Sequence, residues 1–181
     1  MGRTFDALDD DLGAFIARQH VFFVATASCD PATHVNVSPK GLDTFAVLGP
    51  TTVAWLDLTG SGVETIAHLR DDGRVTILFC AFEGPPKILR LYGSGTVIEP
   101  ADARFTELLA RFPAHPGVRS VIVVELDRIA DSCGYGVPRM RYEGERTQLT
   151  QWAERKGPDG IAAYRRERNA RSIDGLRGVE S

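Results

Sequence analysis

The sequence predicts a mainly β protein, a small antiparallel barrel of six or seven strands with helices on its periphery. Three observations predict it. Short apolar segments rich in β-branched and aromatic residues recur between residues 21 and 126. Most are joined by links of hairpin length, which connect antiparallel neighbours. Helical patterns are few, whereas a doubly wound parallel sheet needs a helix after nearly every strand.

The elements follow in order. From Asp6 to Gln19, Leu8, Leu12, Phe15 and Ile16 recur at helical spacing and predict an amphipathic first helix. VFFVATAS, Val21–Ser28, reads as a buried strand, and Asp30-Pro31 as a turn. HVNVS, His34–Ser38, alternates and is broken by Pro39-Lys40-Gly41. Strands follow at Phe45–Leu48 and Thr52–Leu58, split by Gly49-Pro50. A helix is expected over Gly62–Arg70, with Gly73 just past its end as a C-terminal cap. Arg74–Phe82 and Lys87–Ile98 read as two long strands joined through Glu83-Gly84-Pro85-Pro86. Pro100–Phe112 reads as a helix with Phe105, Leu108, Leu109 and Phe112 on one side, and Val118–Leu126 as a last apolar strand. Beyond Asp127 the pattern loosens, and a surface helix is expected at Ile161–Arg171.

With 181 residues the chain suits one core. The expected organisation is a barrel domain over residues 1–145 and a helical tail over 146–181 packed on it. A net charge of −3 gives no reason to bind nucleic acid, and no apolar run is long enough to span a membrane. The acidic start MGRTFDALDDDL lacks the form of a secretory leader. Three scattered cysteines without a Cys-x-x-Cys pair fit reduced thiols, so a cytoplasmic location is expected. The four histidines have no metal-ligand spacing and are expected at the surface, while Cys29 and Cys80 are expected to pack in or beside strands. Only three of 21 basic residues are Lys, and two of them, Lys40 and Lys87, fall in the short motifs that matter most.

The first motif is Thr59-Gly60-Ser61-Gly62, where an apolar strand turns into a helix. Ser61-Gly62-Val63-Glu64 has the form of a capping box, with Ser61 as cap and Glu64 reaching back. The same geometry suits an anion, because helix-start N–H groups, the helix dipole and the hydroxyls of Thr59, Ser61 and Thr65 would converge there. Gly60 and Gly62 leave the backbone open to close approach. The turn matches neither a Walker loop nor a dinucleotide fingerprint. SPKG, Ser38–Gly41, brings a flexible cation in Lys40, and KILRLYG, Lys87–Gly93, brings Lys87 and Arg90 on opposite faces of a strand.

In the order of VFFVATAS, HVNVSPKG, VAWLDLTGSGVETIAHLRDDGRVTILF and KILRLYGSGTVIEP, the chain resembles the pyridoxamine 5′-phosphate oxidase-like flavoproteins with their FMN-binding split barrel. The resemblance covers about Val21 to Leu126. It implies a homodimer with FMN in a cleft between subunits. It implies phosphate contacts from Lys40, Thr59, Ser61 and Thr65 around Gly62, with Lys87 and Arg90 contributing from the paired strand. Asn36, Val37 and Ser38, together with Trp55, Leu56, Asp57 and Leu58, would line the flavin ring.

The implied activity is an FMN-dependent oxidoreductase acting on a small molecule. The alternatives are a deazaflavin-dependent reductase, or a non-catalytic protein binding flavin or haem. The chain departs from true pyridoxamine phosphate oxidases in lacking their Arg-rich strand at HVNVSPKG and their C-terminal Arg-Leu-x-Pro segment. Vitamin B6 oxidation is therefore not implied. CGYGVPRMRY, Cys133–Tyr142, reads either as an irregular turn or as a lid, with Arg139, Arg141 and Tyr142 available to an anionic substrate.

Overall fold

The computed structural model describes residues 2–179 and, among them, eight strands and four helices. β1 (Thr4–Phe5) precedes α1 (Asp10–Ala17), followed by β2 (Phe22–Thr26), β3 (Asn36–Lys40), β4 (Phe45–Val47) and β5 (Thr52–Leu58). Then come α2 (Glu64–Asp71), β6 (Arg74–Cys80), β7 (Ile88–Ile98), α3 (Phe105–Leu109), β8 (Val118–Ser132) and α4 (Gln148–Arg168). Seven strands form one sheet in the order β3-β2-β6-β7-β8-β5-β4, every pairing antiparallel, with β1 added to β8. The sheet curls into a split barrel with β3 and β4 at its edges, and Leu56 N donates to Thr44 O at 2.9 Å across the link between them.

The elements begin and end for local reasons. Asp9, not Asp6, caps α1, its carboxylate accepting from Leu12 N at 2.8 Å, so the helix starts later than its apolar spacing suggested. The expected Pro100–Phe112 helix shrinks to α3 because Asp102 takes the Arg104 N–H at 2.9 Å and holds the preceding residues in turns. β8 runs six residues past Leu126. There Asp127 is bulged out between Tyr92 and Gly93, and the polar stretch DRIADS pairs with β7 and β1. Gly73 follows α2 with φ +82, as its capping role requires. The tail helix spans Gln148–Arg168 rather than Ile161–Arg171, and it is broken at Gly157 (φ 62), after which Pro158 opens a second run. Trp152 and Tyr164 meet edge-on across that break at 5.0 Å.

β5 shows why the sheet is stable. Val53 and Trp55 point into the barrel, where Trp55 joins an aromatic cluster of Phe22, Phe45 and Phe79 with centroid separations of 5.0–6.4 Å. Ala54 and Leu56 point the other way, into a smaller core covered by Phe105, Leu108, Leu109 and Phe112 of the α3 segment. Burial on both faces explains an unbroken apolar run in an antiparallel strand, where alternation is the usual pattern. On the other flank of the sheet no helix covers the outer face. Pro39, Phe23, Leu78 and Arg90 are successive partners across β3, β2, β6 and β7, and Val35 and Val37 beside them are 70% and 63% exposed.

Two expectations are corrected here. His68 is buried, its Nδ1 3.1 Å from Thr26 Oγ1, because its place on α2 faces β2 rather than solvent. Cys29 lies past the end of β2 and is exposed, while Cys80 is buried at the end of β6. No helix among the described residues is long and apolar enough to cross a membrane.

Candidate functional site

The TGSG turn is built from beneath. The Asp57/Leu58 step of β5 faces a bulge in β8 that inserts Arg119 between Val118 and Ser120. The bulge turns that side chain toward Asp57, where Arg119 Nε donates to Oδ2 at 2.7 Å and its Nη1 to Gly62 O at 2.9 Å. Lys40, from the edge strand β3, brings Nζ to 3.6 Å from Asp57 Oδ1. Arg165 of α4 donates from Nε to Thr59 Oγ1 at 2.9 Å and from Nη2 to Val118 O at 2.8 Å. Thr59 Oγ1 in turn donates to Gly117 O at 2.8 Å. Asn169, wholly buried, donates to Gly60 O at 3.0 Å.

Lys40 and Arg119 converge on the Asp57 carboxylate, and Arg165, bonded to Thr59 and Val118, stands close enough to feel Arg119, Asp57 and Glu99. Burial pushes the Asp57 carboxyl up, but Arg119 and then Lys40 outweigh it and hold the group below its ordinary value. Burial, and after it repulsion from Arg119, lowers the Arg165 guanidinium. Cationic side chains under a turn at a helix start are a setting that favours an anion above it.

The capping box does not form. Val63 is the N-cap, no side chain caps the helix, and Glu64 is the first helical residue rather than the third. Its carboxylate folds back over Gly62, where a Cβ would collide with it, and accepts from Ile173 N at 3.3 Å. That carboxylate stands over the turn and opposes a second anion in the same place. Ser61 is left exposed.

β3 supplies a second row. Asn36, Ser38 and Lys40 share one face of the strand, turned toward α2 and β5, while Val37 faces outward. Asn36 Nδ2 donates to Thr65 Oγ1 at 3.2 Å and Thr26 Oγ1 at 3.3 Å, and Ser38 Oγ donates to Asn36 Oδ1 at 3.0 Å. Amide, hydroxyls and one ammonium along the edge of this turn form a donor set that fits a phosphate, once Glu64 moves aside.

The structure therefore brings together Asn36, Ser38, Lys40, Asp57, Thr59, Ser61, Gly62 and Thr65. It does not bring Trp55 or Leu56 to a surface, because β5 is covered on both faces; both are at most 1% exposed. Leu58 is half-buried against the α3 core. Lys87 and Arg90 share no partner with Lys40. Lys87 Nζ lies 4.9 Å from the Phe15 ring centroid, and Arg90 Nη1 donates to Ser132 Oγ at 3.1 Å on the outer face. The run Arg165–Arg171 reads from the sequence as a solvated helix face, yet Arg165 turns in to Thr59 and Val118 and Asn169 is wholly buried. Nothing in the sequence reading singles out Arg119; only its isolation in the apolar run VRSVIVVEL could have signalled it.

The C-terminal residues form a strap against the turn. Arg70 of α2 donates to Gly178 O and pairs with Glu99, and Val179 reaches the main core. Asp174 accepts from His34 N at 2.9 Å and pairs with His34 Nδ1 at 2.8 Å. At the far end of β2 lies a separate cleft of about 830 Å³, between α1, the Ala81–Pro85 turn and residues 140–142.

Residues 8–133 match the model of the pyridoxamine 5′-phosphate oxidase family. The pyridoxamine 5′-phosphate oxidase family protein ustO of Aspergillus flavus is 39% identical over 194 residues, spanning 98% of this chain and 78% of that protein. Among solved structures, HupZ of Group A Streptococcus superposes with a TM-score of 0.53 at 19% identity, over 68% of this chain and 98% of that one. A FAD-binding protein of Mesorhizobium loti gives a TM-score of 0.50 at 12% identity, over 72% and 96% of the two chains. At these identities the superpositions establish the fold.

Proposed function

The chain belongs to the pyridoxamine 5′-phosphate oxidase family, and on that premise we propose that it is a flavin-dependent oxidoreductase that holds FMN at the TGSG turn. The observation that carries the reading is the gathering of Lys40, Arg119 and Arg165 beneath an uncapped helix start. Ser38, Ser61 and Thr65 would offer hydroxyls to the phosphate, Asn36 its amide and Lys40 its charge. Thr59, Arg119 and Arg165 would act from below by fixing the turn, since their own bonds are taken. The family resemblance and the flavin-binding relative support a flavin, and the donor row supports its mononucleotide form.

When bound, the flavin supplies the hydride or electron chemistry. The protein's task is then to orient the ring, shield it from water and admit a small organic substrate.

The reading includes a homodimer. The uncovered outer face of β3, β2, β6 and β7 offers an apolar patch at Val35 and Val37 for a second copy. Arg90, remote from Lys40 within one chain and on that outer face, would reach the flavin across the interface, whereas Lys87, turned to Phe15, would not.

The test is the absorption spectrum of the purified protein, alone and after adding FMN. Bands of oxidised flavin that bleach with a nicotinamide donor support the reading. An intense Soret band, or a chain that stays colourless with FMN present, overturns it.

A further inference from the structure

The 830 Å³ cleft beside α1 is within the size range of small-molecule sites. Its floor is apolar and aromatic, made by Phe15, Phe23 and Phe82. One wall is flat: the His20 and Tyr142 rings stack at 3.6 Å with planes 8° apart. The mouth is positive. Arg18 lines it and makes no ion pair with any described residue, and Arg141 has only a 3.5 Å contact with Glu143. Both members of that second pair are highly exposed, so the contact neutralises little. Arg139 lines the adjoining hollow, also without an ion pair among the described residues. Among the described residues that line the cleft the one acid is Glu83, which already accepts the Tyr142 N–H at 3.0 Å. Behind the Tyr142 wall, Glu145 and Asp43 act on its hydroxyl.

An apolar floor, a flat wall and two exposed guanidinium groups at the rim, one without an ion pair among the described residues and one only loosely paired, describe the complement of one kind of ligand. We propose that this cleft is a binding site for a small, flat, apolar anion, with its ring on Phe15, Phe23 and Phe82 and its carboxylate or equivalent at Arg18 and Arg141. Planar guanidinium groups suit a two-oxygen acid, and the aromatic floor supplies stacking that a hydrophilic anion would not use.

The cleft also sits next to the site above. Gly41, the last residue of SPKG, packs on the His20 carbonyl so closely that a Cβ would lie 3.0 Å from the oxygen. Tyr142 Oη donates to Glu145 Oε1 at 2.9 Å on the same side. A ligand in the cleft therefore lies alongside the strand end that carries Lys40. If the flavin reading holds, this ligand is the molecule it oxidises or reduces. The inference itself rests on the cleft, so a chain that binds the anion but no flavin would keep it and remove the other.

The experiment uses three naphthalenes of one shape and different charge: 2-naphthoate, 2-naphthylmethanol and 2-naphthylmethylammonium. Each is titrated calorimetrically into the full-length protein and into an Arg18→Gln/Arg141→Gln variant, whose changes lie at the exposed rim. The expected result is one 2-naphthoate per chain, bound about tenfold tighter than the alcohol, with the ammonium weakest. The double variant should lose that tenfold preference and keep the affinity for the alcohol. Equal affinity for all three probes, or an unchanged preference in the variant, would overturn the proposal. So would failure to bind naphthoate together with a Phe82→Glu variant that turns a dimer into monomers, because that pair of results puts a second copy in the cleft.

Discussion

Arg119 Nε donates to Asp57 Oδ2 at 2.7 Å with both side chains buried, and the β8 bulge is what makes the contact possible. Arg119 also holds the Gly62 carbonyl, so the same side chain ties the barrel's interior charge to the TGSG turn.

Removing one partner of that pair leaves the other charge buried and alone. Arg119→Met should destabilise the fold by about 3–5 kcal/mol, read from urea unfolding. The acid side follows from linkage. Asp57 sits below its ordinary value when folded, so its contribution is complete above the unfolded carboxylate range and is lost as pH falls through the folded value. Asp57→Asn should be less stable at neutral pH and should lose less stability than the native chain on acidification. An acid dependence unchanged by the substitution would contradict this assignment.

Glu64 stands over the turn and competes with any anion there. Glu64→Gln keeps an acceptor for Ile173 N and removes the charge. FMN should then bind roughly fivefold tighter, the effect of about 1 kcal/mol of relieved repulsion. Weaker binding in this variant would move the phosphate away from Gly62.

The C-terminal strap should open in acid. The bonds from His34, backbone first and ring second, hold the Asp174 carboxyl below its ordinary value. Its hold on the strap is therefore present above the unfolded carboxylate range and lost as pH falls through the lowered value. Amide protection factors over residues 172–178, referred to the intrinsic exchange rate at each pH, should be high at neutral pH and fall in acid. In Asp174→Asn they should be low throughout. Equal protection in the two proteins would show that other contacts hold the strap.

Val37 is a test of the dimer. Val37→Glu puts a charge in the middle of the exposed apolar face of β3 without touching the core. Light scattering should find the native chain dimeric and the variant monomeric. A dimer that survives the substitution places the interface elsewhere.

Much of this fold was legible because its apolar segments are short and well punctuated. Thr52–Leu58 is an example, its ends set by Gly49-Pro50 and TGSG. The length of β8 was not legible, because residues 127–132 hold their place through backbone pairing and carry no apolar alternation. The site was legible as far as its hydroxyls and Lys40, which stand in compact motifs. Its foundation was not, because Arg119, Arg165 and Asn169 reach Asp57, Thr59 and Gly60 across separations of 62, 106 and 109 residues. Burial misled the reading of Trp55 and Leu56, since a strand covered on both faces leaves nothing for a ligand to touch. The capping box failed by register: the helix begins at Glu64, so the residue meant to reach back is already its first turn.

The central claim is that the TGSG turn and Lys40 bind the flavin through its phosphate. Fluorescence titration of the native protein with FMN and with riboflavin, which lacks only that phosphate, tests it most directly. FMN should bind about a hundredfold tighter, the effect of one or two charge-assisted bonds, and Lys40→Met should remove most of that ratio. Equal affinity for FMN and riboflavin in the native protein would contradict the account.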